Sequence, residues 1–257
     1  MSNNKQSSNY VIFPDVSNAN QDGLLASGGD LSVDTLVSAY TQGIFPWFND
    51  GQPILWWSPD PRLVLFPEDV RVSKSLTKTL KKNKFELRCN TAFEQVIKGC
   101  ALRGAQSAEQ KTEETWITES MHNAYIELHK QGYAHSIEVW QDKQLVGGLY
   151  GIAMGSVFFG ESMFSRVNDA SKVALVGLCR HLPSKNIDLI DCQVASDHLF
   201  SMGASEIPRQ LFLQFLEPIN LSLKLKKQPN NDKEIIEQID LRHADFAIGI
   251  ENAINNT

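Results

Sequence analysis

The sequence predicts an α/β fold with a mixed sheet, a small N-terminal domain preceding a larger one. Three observations predict it. Residues 135–160 hold three strand-like runs joined by short turns. A helix, a strand and a further helix follow. The first sixty residues, by contrast, are rich in turns and aromatics, with Gly28-Gly29-Asp30, Phe45-Pro46-Trp47-Phe48 and Trp56-Trp57-Ser58-Pro59. We divide the chain into a disordered N-terminus (1–9), an N-terminal domain (10–62), a main domain (63–217) and a C-terminal extension (218–257) in which no chemistry is legible.

In order, Ser32 can cap a helix running to about Gln42, with Leu36, Val37 and Tyr40 on one face and Gly43 as its stop. The aromatics around it read as a small core or as a pocket wall. A strand over Leu63 to Phe66 leads to Ser73, which can cap a helix. Lys74, Lys78, Lys81 and Lys82 then recur every three or four residues, on one helical face. Arg71, these four and Lys84 put six cations into fourteen residues with no acid among them. Such a stripe destabilises an isolated helix, so it reads either as a solvated face or as a site for a polyanion.

Phe85 to Arg88 reads as a strand, Thr91 to Cys100 as a short helix with Phe93, Val96 and Ile97 inward, and 101–114 as a polar, mobile loop. A helix spans about Glu119 to Lys130, with Ala124, Tyr125 and Leu128 on one side and Gly132 at its end. Strands over His135–Trp140, Gln144–Ile152 and Val157–Gly160 turn at Asp142-Lys143 and Met154-Gly155-Ser156. A helix opened by Asn168 or Asp169 runs to His181, and a strand over Ile187–Gln193 follows. Ser196-Asp197-His198 starts a helix that Gly203 breaks, and Ile207-Pro208-Arg209 begins a last one to about Leu216.

The strand Ile187–Gln193 carries the candidate chemistry. Asp191 and Gln193 are two apart and share a face if the strand is extended. A carboxylate beside a carboxamide is either hydrogen-bonded structure or a site. Cys192 should face the other way, into the core. The four cysteines lie far apart without a metal-ligand spacing, and the six histidines form no convincing catalytic order, so neither a metal nor a histidine role is assigned. A net charge of −6 excludes a chain that coats nucleic acid with its whole surface, though not a local basic patch. No apolar run could span a bilayer and no apolar core follows the basic start, so a cytoplasmic, membrane-free protein is expected.

The element order resembles the N-acetyltransferase superfamily, which implies an acetyltransferase-like main domain. The position where the acyl-CoA members of that superfamily carry a Gly-rich turn reads Phe164-Ser165-Arg166-Val167-Asn168-Asp169, without glycine, so acetyl-CoA is disfavoured. More specific blocks are Gly28-Gly29-Asp30-Leu31, Gly43-Ile44-Phe45-Pro46-Trp47-Phe48, Leu55-Trp56-Trp57-Ser58-Pro59-Asp60-Pro61-Arg62, Thr115-Trp116-Ile117, Gly147-Gly148-Leu149-Tyr150-Gly151, Phe159-Gly160-Glu161-Ser162-Met163-Phe164-Ser165 and Leu189-Ile190-Asp191-Cys192-Gln193. From about Phe13 to Leu216 the chain resembles the bacterial leucyl/phenylalanyl-tRNA–protein transferases.

The resemblance implies an aminoacyltransferase that moves Leu or Phe, with Met a further candidate, from aminoacyl-tRNA to the α-amine of proteins beginning with Arg or Lys. The product is a degradation signal, and neither cofactor nor metal is needed. It places the aminoacyl and adenosine pocket at Trp47, Trp116, Leu149, Phe158 and Met163, and gives Lys74, Lys78, Lys81, Lys82 and Lys84 the phosphates of tRNA as partner. Asp191 and Gln193 become catalytic, Asp191 orienting or deprotonating the amine, and Gln193 donating to the carbonyl oxygen or accepting from the amine. Glu161 and Asp191 together form an acidic pocket for the cationic acceptor. Two rival readings stay open: an acyl-CoA N-acyltransferase, and a non-catalytic RNA-binding adaptor using the lysine face.

Overall fold

The computed structural model describes residues 11–102 and 117–219 together with Phe246, Ala247, Ile250 and Ala253. The expected disordered N-terminus, most of the 101–114 loop and Trp116 lie outside the described residues. The elements in order are β1 (Leu24–Ser27), α1 (Val33–Thr41), β2 (Phe45–Pro46), β3 (Leu55–Trp57), β4 (Arg62–Leu65), α2 (Lys74–Lys81), β5 (Glu86–Cys89), α3 (Phe93–Ala101), α4 (Glu119–Lys130), β6 (Ala134–Gln141), β7 (Gln144–Met154), β8 (Val157–Ser165), α5 (Ala170–His181), β9 (Leu189–Gln193), α6 (Asp197–Ser201), β10 (Ser205–Ile207) and α7 (Arg209–Gln214).

The mixed α/β architecture is the one expected. A three-stranded sheet in the order β1-β3-β2 stands beside a seven-stranded sheet in the order β10-β4-β9-β8-β7-β6-β5. All pairs in the large sheet are antiparallel except β8–β9. The hairpin between β6 and β7 turns at Asp142 and Lys143, whose φ values of 50° and 63° match the left-handed pair that a two-residue turn requires. β10 was not foreseen. Three residues before a proline carry too little periodicity to read, and only pairing with β4 makes them a strand.

Two apolar layers cover the large sheet. On one face α3 and α4 bury Phe93, Val96, Ile97, Met121, Tyr125 and Leu128; on the other α5 and α2 bury Val173, Val176, Leu178, Leu76 and Leu80. β6 and β7 are therefore buried on both faces over most of their length. The polar residues of β6 are internal. Glu138 is fully buried and accepts hydrogen bonds from the Thr91 and Ala92 backbone N–H groups, at 2.8 and 2.7 Å, ahead of α3. α4 is capped by Thr118, whose hydroxyl accepts from the Met121 N–H, and this sets the phase that turns Tyr125 inward. Among the described residues no helix is long and apolar enough to cross a membrane.

Candidate functional site

β8 and β9 run parallel for only three positions, Val157 with Leu189, Phe158 with Ile190 and Phe159 with Asp191. β8 continues to Ser165 without β9, so the sheet opens into a wedge. A cavity of about 200 Å³ lies there, lined by Leu149, Phe158, Met163, Leu175, Ile190 and Leu199, with Glu161 and Gln193 also in its wall. An apolar cavity of about 150 Å³ accepts a benzene ring. This one suits a single large apolar side chain.

The expected geometry at the end of β9 needs correction. Gln193 has φ of +65°, a left-handed conformation uncommon outside glycine, so the strand is not extended through it. Its N–H donates to Asp191 Oδ1 at 2.9 Å, and its side-chain Nε2 donates to Glu161 Oε1 at 3.0 Å. Asp191 is not an open strand end. It is fully buried, and Arg62 on β4 donates to it from both Nε (2.8 Å) and Nη2 (2.6 Å). Arg62 Nη1 also donates to the Gly43 carbonyl, and the guanidinium lies 4.8 Å from the Phe45 ring and 4.7 Å from Phe212. Both Asp191 oxygens are thus occupied, and the ion pair holds the Gln193 turn in place. Cys192, expected in the core, lines the cavity; burial pushes its thiol well up, keeping it protonated and apolar.

Glu161 sits at the meeting point. Tyr40 Oη from α1 donates to its Oε1 and Tyr125 Oη from α4 to its Oε2, each at 2.8 Å, and the two phenol oxygens are 2.5 Å apart. Two phenol protons serve three short contacts, so the ring of oxygens has room for one more proton. Burial pushes the Glu161 carboxyl up to about 7, with the charge of Asp191 adding to the rise and the hydrogen bonds from Tyr125, Tyr40 and Gln193 opposing it. Burial and the Glu161 charge likewise push the two phenols well up, so they remain donors.

The structure gathers Leu149, Phe158, Met163, Glu161 and Gln193 into one cavity wall, with Asp191 directly behind. Trp47 is not brought in. It is 44% exposed, its ring 5.7 Å from Trp57, on the small sheet and not in the cavity lining. Lys74, Lys78, Lys81, Lys82 and Lys84 are all exposed, because Leu76 and Leu80 turn inward from α2. Among the described residues no carboxylate pairs with any of these lysines. α2 is tied to the start of α5 by the bond from Thr79 Oγ1 to Asp169 Oδ2.

Arg62, Tyr40 and Tyr125 escaped the sequence reading. The two tyrosines look like ordinary apolar-face residues of their helices. Arg62 did carry a signal, a cation opening the apolar run Leu63-Val64-Leu65. No group of three His, Cys, Asp or Glu side chains converges among the described residues.

Residues 64–217 match the family model described as leucyl/phenylalanyl-tRNA protein transferase, and 29–60 match the model for that protein's N-terminal domain. The curated relatives include the leucyl/phenylalanyl-tRNA–protein transferase of Pseudomonas syringae pv. syringae, 54% identical over 210 residues that cover 81% of this chain and 90% of the relative. The protein of the same name from Nitrosomonas eutropha is 55% identical over 212 residues, 82% of this chain and 86% of that one. Solved structures with a similar chain path include a GCN5-related N-acetyltransferase from Kribbella flavida, with TM-score 0.35, 10% identity and coverage of 66% of this chain and 59% of that one. Another is L-PGS from Bacillus licheniformis, with TM-score 0.38, 6% identity and coverage of 63% and 50%.

Proposed function

The chain belongs to the leucyl/phenylalanyl-tRNA–protein transferase family, and from that membership we propose how its wedge between β8 and β9 performs the transfer. The enzyme moves Leu or Phe from aminoacyl-tRNA to the α-amine of a protein. The acceptors in this reading begin with Arg or Lys, Met is a further donor side chain, the products are marked for degradation, and the reaction takes place in the cytoplasm. In this reading residues 10–62 are the N-terminal domain and lend Tyr40 and Phe45 to the site of the 63–217 domain, the two sharing one apolar cluster. The observation that carries the reading is the cavity itself, apolar along Leu149, Phe158, Met163, Leu175 and Ile190 and bounded by Glu161 and Gln193.

The aminoacyl side chain enters the cavity, where methylene-scale discrimination of about 1–3 kcal/mol keeps specificity modest. Its ester is already activated, so no covalent enzyme intermediate is needed. Gln193 has two amide protons and gives one to Glu161, which fixes the orientation of the carboxamide. The second proton is available to the carbonyl oxygen as negative charge develops there.

The acceptor ammonium meets Glu161. A carboxyl pushed up to about 7 is suited to take a proton from an α-amine, whose ordinary pKa is about 8. The freed amine attacks the carbonyl carbon; as the bond to the ribose oxygen breaks, the proton on Glu161 passes to that oxygen through the tyrosine ring, and Glu161, a carboxylate again, takes the second proton from the nitrogen and releases it to solvent. Asp191 acts behind Gln193 in this reading: with both oxygens taken by Arg62 and the Gln193 N–H, it positions the turn and does not touch the amine. The unpaired lysines of α2 and its C-terminal end lie along tRNA phosphates, which needs cations but no base readout. Trp47, exposed on the small sheet, and Trp116 remain candidates for stacking the terminal adenine.

The test is incubation with labelled Phe-tRNA and a peptide beginning with Arg. Label should enter the peptide in an amide bond, and an N-acetylated peptide should receive none. A peptide left unlabelled would refute the reading.

A further inference from the structure

The chain beyond the family match returns to the cavity from behind. The match ends at residue 217, yet Phe246 is fully buried and Ile250 is 2% exposed, both in the apolar cluster that contains Phe158. The Phe246 ring stacks on Phe158 with centroids 5.7 Å apart and planes at 20°, and on His135 of β6 at 4.3 Å and 23°. The three rings form a column whose cavity end is Phe158, itself part of the lining, while Phe246 is not.

The ring is held in place by its neighbours. His181, the last residue of α5, has its Nε2 2.5 Å from the Phe246 carbonyl oxygen and its ring edge-on to Phe246 at 5.4 Å. Arg180 Nη1 donates to the Ala253 carbonyl at 3.4 Å. On another side Phe158 lies against Gly151, where an added Cβ would come within 2.5 Å of its ring. Nothing about Phe246 touches the cavity, so its effect there passes through Phe158.

We infer that Phe246 sets the depth of the side-chain cavity by bracing Phe158, and so is a positioning residue for the choice between Leu and Phe. The inference rests on the transfer reading above for its substrates. Removing a buried ring leaves a hole that the surroundings fill only in part. Phe158 then settles backward, the cavity deepens, and the longer side chain gains over the shorter.

The experiment compares kcat/KM for Phe-tRNA and Leu-tRNA with the same Arg-peptide, in the full chain and in Phe246→Ala and Phe246→Leu. Their ratio is unaffected by the fraction of enzyme that is folded, so a merely destabilising change leaves it fixed. Phe246→Ala should raise the Phe-to-Leu ratio about tenfold, on the scale of one methylene in an apolar pocket. Phe246→Leu, which restores most of the volume, should bring the ratio back toward that of the unaltered chain. A ratio within twofold of the unaltered chain in Phe246→Ala overturns the inference while leaving the transfer reading intact. Should the unaltered chain transfer neither residue, that reading fails instead; the ratio of phenylalaninamide to leucinamide affinity then decides, a rise in Phe246→Ala supporting the brace and no change overturning it.

Discussion

Replacing Arg62 with Met tests the role given to the buried ion pair. Met keeps an unbranched apolar chain between Phe45 and Phe212 and removes only the guanidinium. Asp191, with no exposure, then loses the donors at 2.8 and 2.6 Å, and the Gly43 carbonyl loses one at 3.2 Å. Breaking a buried pair by removing one partner costs about 3–5 kcal/mol. The lost carbonyl contact adds about 1 kcal/mol. Against a typical stability of about 5–15 kcal/mol this is a large fraction.

Urea unfolding, with a slope of about 3 kcal/mol/M for a chain of this size, should show the midpoint falling by about 1–2 M at unchanged slope. The double variant Arg62→Met/Asp191→Leu removes the stranded charge. It should recover more than half of the loss, since paired apolar replacements of buried ion pairs are often near neutral. Transfer should be lost in both variants, because the Gln193 turn has lost Asp191 Oδ1 or its anchor. A single variant that loses under about 1 kcal/mol, or a double variant no more stable than the single, would refute the argument that Arg62 holds Asp191 as a charged strut.

The unaltered enzyme should show kcat/KM rising as pH increases through about 7, measured with an Arg-peptide, and Glu161→Gln should flatten that rise. The same group has a stability signature of opposite sign. Its folded pKa lies above the unfolded value of about 4.5, so the folded state retains a proton the unfolded chain has lost, and its stabilising contribution fades as pH rises from about 4.5 to about 7. Calorimetric melts across that range should slope less in Glu161→Gln. Gln193→Ala should lower single-turnover transfer about 10²–10³-fold with tRNA affinity in a filter-binding assay unchanged within twofold; equal loss of both would make the residue structural. Changing Lys78, Lys81 and Lys82 to Glu should weaken tRNA binding and reduce its salt slope by somewhat under one unit per lost phosphate contact, while transfer from aminoacyl-adenosine is unaffected.

Much of the fold was legible because it depends on short-range pattern. Ser32 and Ser73 announce two helices by the chemistry of their caps, and each hydroxyl accepts the N–H its position requires; Thr118 does the same for α4, a cap the sequence reading did not name. The hairpin at Asp142-Lys143 is equally local. β10 was not, since three residues become a strand only through the hydrogen bonds of β4. The exposure of the α2 lysines followed from helical spacing alone, with Leu76 and Leu80 on the opposite face.

At the site the division is sharper. Sequence by itself determined which residue types are present at the end of β9 and β8, Asp191, Gln193, Glu161 and Met163, and the family they belong to. Tertiary structure alone decided what each faces. Arg62 is 129 residues from Asp191 and Tyr40 is 121 from Glu161, and no periodicity within a helix or strand reports a partner at that separation. Buried charge makes the difference physical. Out of water, a carboxylate is defined by what surrounds it: Arg62 makes Asp191 a strut, while burial pushes the Glu161 carboxyl up to about 7 against the hydrogen bonds from two tyrosines and Gln193.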